Sequence, residues 1–546
     1  MFRSDVENFK VGSKTHAPLI WYLIPICAGY LFAPFVITPH LLLLFTPIIL
    51  LLALKILKIR IQSKPILSFF IFLVALYYYK NSYPNIPFLY QSLPDREAEI
   101  TIKIDQIYKE DKKNKKISGI ATIIATPSHL SYTIQSKTYF SAKNIVELNS
   151  LTKGSSVSVL AVLSKTKQTK HLHHLNSSFD ESLSLQGIYY RLSRVRLKEI
   201  LDTPFIAKKK KNLHNLILSK IQSAPHLDNE KKWRNILLAL ISGEKTFLPQ
   251  RETLLYKWSG TMHIFTISGL HIGILAVLIY KLLSFFIYKK TYKSILVILL
   301  LFLFVELTGS KIAAYRAFWM ATILMIAPII SRKGCLFSAL LTAALLELIL
   351  KPSVIWNLGF QLSYSVVFMI LKLGLPTAKL YEEKIQPYKF DPTPNWISKC
   401  RFVLKKNVFA SLILTLSAFL PSTILLHPIT HMVSILSIPL NLLIVPILPV
   451  LLTLGLTIYP VSMVHPILAS PLKLISDFTI KTTTQLIEIF LQIPLSHYFL
   501  SSTLPFLSKL IPLLMVLNVL FFQNPTYKWI STILLWLLYF TTEFMV

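Results

Sequence analysis

The chain has 546 residues, 57 Lys and Arg against 25 Asp and Glu, and a formal charge of +32. Apolar residues make up 53% and charged residues 15%, with a mean hydropathy of +0.57, whereas soluble domains carry about 25% charged residues. These figures, with several apolar runs long enough to cross a bilayer, exclude a cytosolic enzyme, a secreted disulfide scaffold and a disordered tail, and predict an α-helical polytopic membrane protein.

In chain order, the basic start leads into an apolar run from Leu19 to Phe35. No small-residue cleavage site follows, so a retained helix is expected. Crossings are predicted near 19–36, 41–54 and 65–79, then near 264–288, 294–308, 315–330, 336–350, 355–375 and 407–426. A Pro-broken apolar block covers 433–460, and two last crossings lie near 504–522 and 528–543, about eleven transmembrane helices in all. The basic loops Lys55–Lys64, Lys289–Lys293, Arg332–Lys333 and Lys379 to Lys406 fall on one side if the N-terminus is cytoplasmic, as the positive-inside rule requires of an inner (cytoplasmic) membrane protein. The polar segment from about 92 to 235 is then extracytoplasmic.

That segment reads as strands from Ile100 to Leu163, with alternating or apolar runs at Ile100–Ile107, Gly119–Ala125 and Ser155–Leu163. Such spacing predicts a small β-barrel of the OB type. From Phe179 to Leu240 the spacing turns helical and amphipathic, with a basic run at Lys208–Lys211, as in helices that lie on a membrane surface. The expected organisation is therefore 1–91 N-terminal crossings, 92–178 OB-like domain, 179–262 amphipathic connector, 263–502 transmembrane core bundle and 503–546 C-terminal crossings. Residues 96–200 hold 17 basic and 9 acidic side chains. Topology does not demand that excess, which suits either a solvated or lipid-facing surface or a phosphate backbone. Lys112, Lys113, Lys115 and Lys116 are candidate DNA contacts, and Tyr132 and Tyr139 candidate stacking platforms; Phe140, Tyr189 and Tyr190 are further aromatics that could equally be core.

Polar residues inside apolar helices are costly and therefore functional candidates. Four groups stand out: Gly260 to Gly273, with His263, Ser268, Gly269 and His271; Thr308-Gly309-Ser310 with Arg316; Gly359-Phe-Gln361-Leu-Ser363; and Pro421 followed by Pro439-Leu-Asn441 and Pro446. On a continuous helix His263 and His271 would stand roughly 12 Å apart and could not share a metal. Arg316 is expected either to snorkel or to bind a phosphate, and Asn441 to mark a broken or re-entrant segment. By the predicted topology the first three groups, and Pro421, share the outer half of the bundle, as in a pore mouth or substrate cavity.

On these residues the chain resembles the ComEC competence family. His263-Ile-Phe-Thr-Ile-Ser268-Gly269-Leu270-His271-Ile272 is similar to that family's core signature. Leu238 to Glu244 precedes it, and Leu307-Thr-Gly309, Arg316-Ala317, Met320, Gly359 to Tyr364 and Asn441 to Pro446 follow in the family's order. Phe179-Asp180 with Gln186-Gly187-Ile188 resembles the family's link out of its OB-like domain. The resemblance implies uptake of single-stranded DNA across the membrane during natural transformation. Its implied partners are single-stranded DNA, membrane lipid, a pilus or DNA receptor outside, a cytoplasmic helicase, a separate nuclease and a second copy of the chain as a homo-oligomer. No GxxxxGK[ST] loop occurs, so no ATPase is expected. No HxHxDH motif of the metallo-β-lactamase-like domain of longer family members occurs either, and His171, His173 and His174 lack a nearby acid, so neither metal nor cofactor is expected. The three cysteines, Cys27, Cys335 and Cys400, form no CxxC. Two other readings stay open: an intramembrane hydrolase using Ser268 and His271, for which Glu306 and Glu347 are the nearest acids in apolar runs, and a small-solute transporter.

Overall fold

The computed structural model describes residues 20–32, 71–79, 93, 96–111, 116–143, 151–166, 183, 186–205, 207–209, 211–213, 216, 231–308, 312–332, 334–385, 395–493, 498–499, 505–522 and 524–544. They belong to two compact units: Ala17–Ile217 with Ala344–Asn357, and Met1–His16 with Leu218–Ala343 and Leu358–Val546.

The first unit is built on five strands, β1 (Glu97–Asp111), β2 (Lys116–Ala125), β3 (Lys137–Ala142), β4 (Ser156–Lys165) and β5 (Tyr190–Asp202), closed in the order β1-β2-β3-β5-β4. Every pairing is antiparallel except β3 with β5. Alternation explains the closure. Ile100, Ile102 and Ile104 of β1 point inward to meet Ile117, Ile123, Val157, Val159 and Leu192, while Thr101 and Lys103 point outward. Each such isoleucine contributes about 1.5–3 kcal/mol. Register shifts in β1 and β5 let those long strands bend around the barrel. Gly119 is required where β2 crosses one such bend, because an added Cβ would stand 2.1 Å from the Gln106 carbonyl oxygen.

Two strands were not expected. The stretch from Tyr190 to Asp202, read from sequence as the start of an amphipathic helical connector, is β5 and completes the barrel. Its exposed Arg191, Arg194, Arg196 and Lys198 alternate with inward Leu192 and Val195, a period of two interrupted by one extra residue at a register shift and masked by the neighbouring helical pattern. β3 is only six residues long and carried too little periodicity to register. The same unit holds α1 (Ile20–Phe32), whose Tyr30 ring lies 5.7 Å from Tyr79. The Tyr78 hydroxyl donates to the Ile349 carbonyl at 3.1 Å.

The second unit is helical: α2 (Lys231–Ser242), α3 (Gln250–Trp258), α4 (Gly269–Ser284), α5 (Lys290–Leu307), α6 (Ile312–Ile326), α7 (Leu336–Leu350, whose end joins the first unit), α8 (Leu358–Ile385, with a π-helical turn at Ile370–Gly374), α9 (Trp396–Thr430), α10 (Ser437–Val464), α11 (Pro466–Leu491), α12 (Pro505–Phe521) and α13 (Pro525–Phe544). One core joins α2, α3, α10 and α11 through Leu237, Leu240, Tyr256, Leu440, Leu448, Ile480 and Ile487. Another joins α4, α5 and α6 through Ile272, Leu275, Leu301, Val305 and Phe318.

This is a membrane protein with a β-domain. Among the described residues, Leu358–Ile385, Trp396–Thr430 and Ser437–Ile458 are long and apolar enough to cross a bilayer. Helices such as α6 and α7, at 15 residues, span only about 22 Å at 1.5 Å per residue. Three sequence expectations need correction. The histidine-bearing crossing does not start at 264, because α4 begins at Gly269. The block at 433–460 is not broken, because α10 runs unbroken through Pro446 and Pro449, with Pro439 in its first turn, where no backbone donor is needed. Finally, the 26-residue helix α11 was not foreseen; its Lys473, Asp477, Lys481 and Glu488 interrupt the apolar run that would have announced it.

Candidate functional site

The histidine motif folds as a turn followed by a helix start. Gly260 takes φ +71°, and an added Cβ would lie 2.9 Å from the Ser437 Cβ, so the chain can turn here against α10 only as glycine. His263 follows on a 3-10 turn (Met262–Phe265), where its Nδ1 sits 3.2 Å from the Gly260 carbonyl oxygen. Part of its surface stays open. Desolvation by the surrounding chain nevertheless holds its imidazole below the ordinary value, the Lys245 ammonium adds to this, and the Gly260 carbonyl opposes it.

Ser268 is the residue before the first turn of α4, in extended conformation, and His271 occupies the third helical position. The Ser268 backbone N–H donates to His271 Nδ1 at 3.3 Å, and Ser268 Oγ lies 3.0 Å from the same nitrogen. This is a capping box with histidine in the place usually held by Glu or Gln. His271 Nε2 lies 3.3 Å from the Leu240 carbonyl oxygen. Nε2 therefore carries the proton and donates to that carbonyl, which leaves Nδ1 as the acceptor. The 4% exposed imidazole thus ties the start of α4 to the end of α2. His263 and His271 do not share a helix, contrary to the sequence reading.

The other motif residues stand on neighbouring helices. Arg316 is on α6 and only 3% exposed, so it is enclosed by the protein and does not snorkel. Its neighbour Ala317 faces Gly269, with its Cβ 4.0 Å from where a glycine Cβ would stand. Gly359, Gln361 and Ser363 lie half-buried in the first turns of α8, where the Ser365 hydroxyl donates to the Gln361 carbonyl at 2.5 Å. Asn441 lies in the second turn of α10 with its Oδ1 buried, and Pro446 is exposed farther along that helix. Helix α4 packs against both α6 and α10, and α6 packs against α8. The four motif helices thus form one connected series. Next to it, nothing lies within 4 Å of the position a Cβ would take at Gly273, one turn beyond Gly269. Gly309 lies outside the described residues.

On the barrel, Lys112, Lys113 and Lys115 lie outside the described residues; Lys116 opens β2 opposite Asp111. Tyr132 packs against the barrel core with Tyr189, while Phe140 and Tyr190 are inside it. Tyr139 is half-buried on the outer face. Its ring is 6.5 Å from Tyr108 and 5.8 Å from the Arg191 guanidinium carbon. Tyr108, 39% exposed, and Arg191 were missed by the sequence reading; the signal for Arg191 was the outward period of β5. Also missed was His427, fully buried in α9, whose Nδ1 lies 2.9 Å from the Tyr539 hydroxyl of α13. An ionisable residue inside an apolar helix was the available clue. Among the described residues no group of three or more His, Cys, Asp or Glu is placed to hold a metal ion.

Residues 240–540 match the family described as Competence protein. ComE operon protein 3 of Bacillus subtilis (strain 168) is 24% identical over 268 residues, which cover 49% of this chain and 31% of that protein. The match thus spans about a third of that relative's length. No solved structure matches.

Proposed function

The chain belongs to the Competence protein family, and we propose that it forms the path by which single-stranded DNA crosses the cytoplasmic membrane during natural transformation. The observation that carries this reading is the packed series α10–α4–α6–α8, the helices on which His271, Arg316, Gln361 and Asn441 stand. Gly273 is exposed with nothing within 4 Å of where a Cβ would stand, so α4 offers a smooth face past which a strand can move. In this reading the bundle has about eleven crossings, the N-terminus is cytoplasmic and the barrel is outside. The strand order, with β1 bridging β2 and β4 and with β3 parallel to β5, supports an OB-type barrel. Tyr108, Tyr139 and Arg191 offer it a stacking platform for bases. A separate helicase supplies the pulling force and a separate nuclease removes the second strand.

The test is uptake of labelled DNA by a transformable host in which this chain carries Gly273→Leu. Bound DNA should stay at the surface and remain sensitive to added nuclease, while the protein is present at its normal level. Undiminished nuclease-resistant DNA in a strain lacking the chain altogether would overturn the reading.

The 3.0 Å Ser268–His271 contact also suits a hydrolase. In that reading Nδ1 would take the serine proton while Nε2–H is held by a carbonyl. A backbone carbonyl stabilises a developing imidazolium less than a carboxylate does, and the same contact closes a helix cap. The capping role accounts for it.

A further inference from the structure

A second charged surface on the barrel's unit was not singled out by its sequence. Across the sheet, Lys103 of β1 stands opposite Thr122 of β2, and Thr122 opposite Lys137 of β3. Directly opposed residues share a face, so Lys103 and Lys137 flank Thr122 on the outer surface at roughly 5 Å per strand. Two residues along β1, the Asp105 carboxylate accepts the Thr122 hydroxyl at 2.5 Å. The turn that carries Lys153 is pinned to the same place. Gly154 N–H donates to the Ile104 carbonyl at 2.6 Å, and Ile104 N–H to the Ser155 carbonyl at 2.9 Å.

The fourth ammonium comes from far along the chain. Lys351 follows α7 and lies within electrostatic reach of Lys137, Lys153 and Asp105. It is held in place by the 3-10 turn Pro352–Trp356, whose Ser353, Ile355 and Trp356 are buried, and by the Tyr78 bond to Ile349. Desolvation, followed by repulsion from Lys137, lowers its pKa; Asp105 works the other way and Lys153 adds to the lowering. Four lysines thus share this region with one carboxylate that already accepts a hydrogen bond. A further acid on this row, Asp202, stands two strands from Lys103, beyond Ser156. Like charges gathered by a rigid framework repel one another, and a polyanion laid across them relieves that repulsion while releasing its own counterions.

We propose that Lys103, Lys137, Lys153 and Lys351 form a binding site for the phosphodiester backbone of a single DNA strand, with Lys351 completing a site that the barrel alone leaves open on one side. The site rests on the proposed role of the chain in DNA passage and deepens it. It reads phosphates and not bases, so it shows no sequence preference.

The experiment uses the full chain in nanodiscs of zwitterionic lipid and a fluorescein-labelled oligodeoxythymidine, with affinity measured across a range of ionic strength. Lys351→Glu should weaken binding about fivefold or more and reduce the salt slope by about 0.7, the share of one phosphate contact on a single strand. Lys351→Gln should lose the same slope with a smaller loss of affinity. Lys198→Glu, the same charge reversal on exposed β5, should leave the slope unchanged. If the wild-type chain binds and Lys351→Glu behaves like Lys198→Glu, the site is refuted while DNA binding stands. No binding by the wild-type chain refutes both. A third overturning result is a Lys351→Glu chain that keeps its oligonucleotide affinity but loses affinity for phosphatidylglycerol vesicles, since the lysines would then hold lipid headgroups.

Discussion

The barrel and the helical bundle solve opposite solvation problems. In the barrel, isoleucines at 100, 102, 104, 117 and 123 are fully buried, while Lys103, Arg191 and Lys198 face outward. In the bundle, Leu474, Phe478 and Leu534 are exposed, while Arg316, Ser417, His427 and Ser476 are buried. A strand-built core is stabilised by removing apolar surface from water. A bundle in lipid gains little that way, because lipid tails are as apolar as leucine, so packing and interhelical hydrogen bonds hold it together. Ser and Thr hydroxyls accordingly donate to carbonyls of their own helices, as Thr423 does to Phe419 at 3.0 Å. Contacts between helices fall to larger groups, such as the Trp536 indole donating to Thr423 Oγ1 at 2.9 Å.

The sharpest way to break this contrast is a matched pair of truncations. Ile123→Ala in the barrel should cost about 2–5 kcal/mol, seen as earlier thermal loss of barrel structure and faster proteolysis in the full chain. Leu534→Ala on the exposed surface of α13 should shift stability by less than about 0.5 kcal/mol. Equal effects would mean that both units are held by the same force.

His271 offers a finer test. His271→Ala should destabilise the start of α4 by about 0.5–2 kcal/mol through loss of the cap. His271→Gln, which restores the usual capping-box residue, should recover that stability. DNA uptake that stays defective in His271→Gln would assign the imidazole a role in the passage itself; full recovery would make it a strut.

Between α9 and α13, Tyr539→Phe removes the hydroxyl partner of His427 and should cost about 0.5–1.5 kcal/mol. His427→Phe in the same chain should then add little further polar penalty, which a double-mutant cycle on thermal unfolding in detergent would measure.

The smallest effect is expected at the exposed Lys198–Glu99 pair, 2.7 Å apart. The Lys198 hydrogen bond, with one from Ser158, holds the Glu99 carboxyl below its ordinary value. A depressed carboxyl contributes stability that is present above the unfolded pKa and lost as pH falls through the folded one. The loss therefore lies on the acidic side of the usual carboxylate range, and Lys198→Ala should lower melting only slightly at neutral pH and not at all once Glu99 is protonated. A clear drop at neutral pH would show that this surface pair matters more to the barrel than exposed pairs generally do.

Much of this organisation was legible in the residues. Long apolar runs announced α8 and α9, and period-two stretches announced β1, β2 and β4. The order of the polar motifs pointed to the family. The misreadings share a cause: a local pattern that two structures can satisfy. Tyr190–Asp202 has enough basic residues to resemble a surface helix, and only pairing with β3 and β4 makes it a strand. The prolines around Asn441 suggested a break, yet Pro439 falls where a helix needs no donor, and packing against α2 and α11 carries α10 past Pro446.

By itself, then, the sequence determined what the chain is solvated by. Hydropathy and its period are local properties, and they divide a lipid-embedded bundle from a water-facing barrel without any knowledge of contacts. Tertiary structure alone decided which polar groups meet. That His271 reaches the Leu240 carbonyl and that His427 finds Tyr539 depends on contacts between residues 31 and 112 positions apart. Such contacts are set by how whole elements pack, and no window of neighbouring residues encodes them.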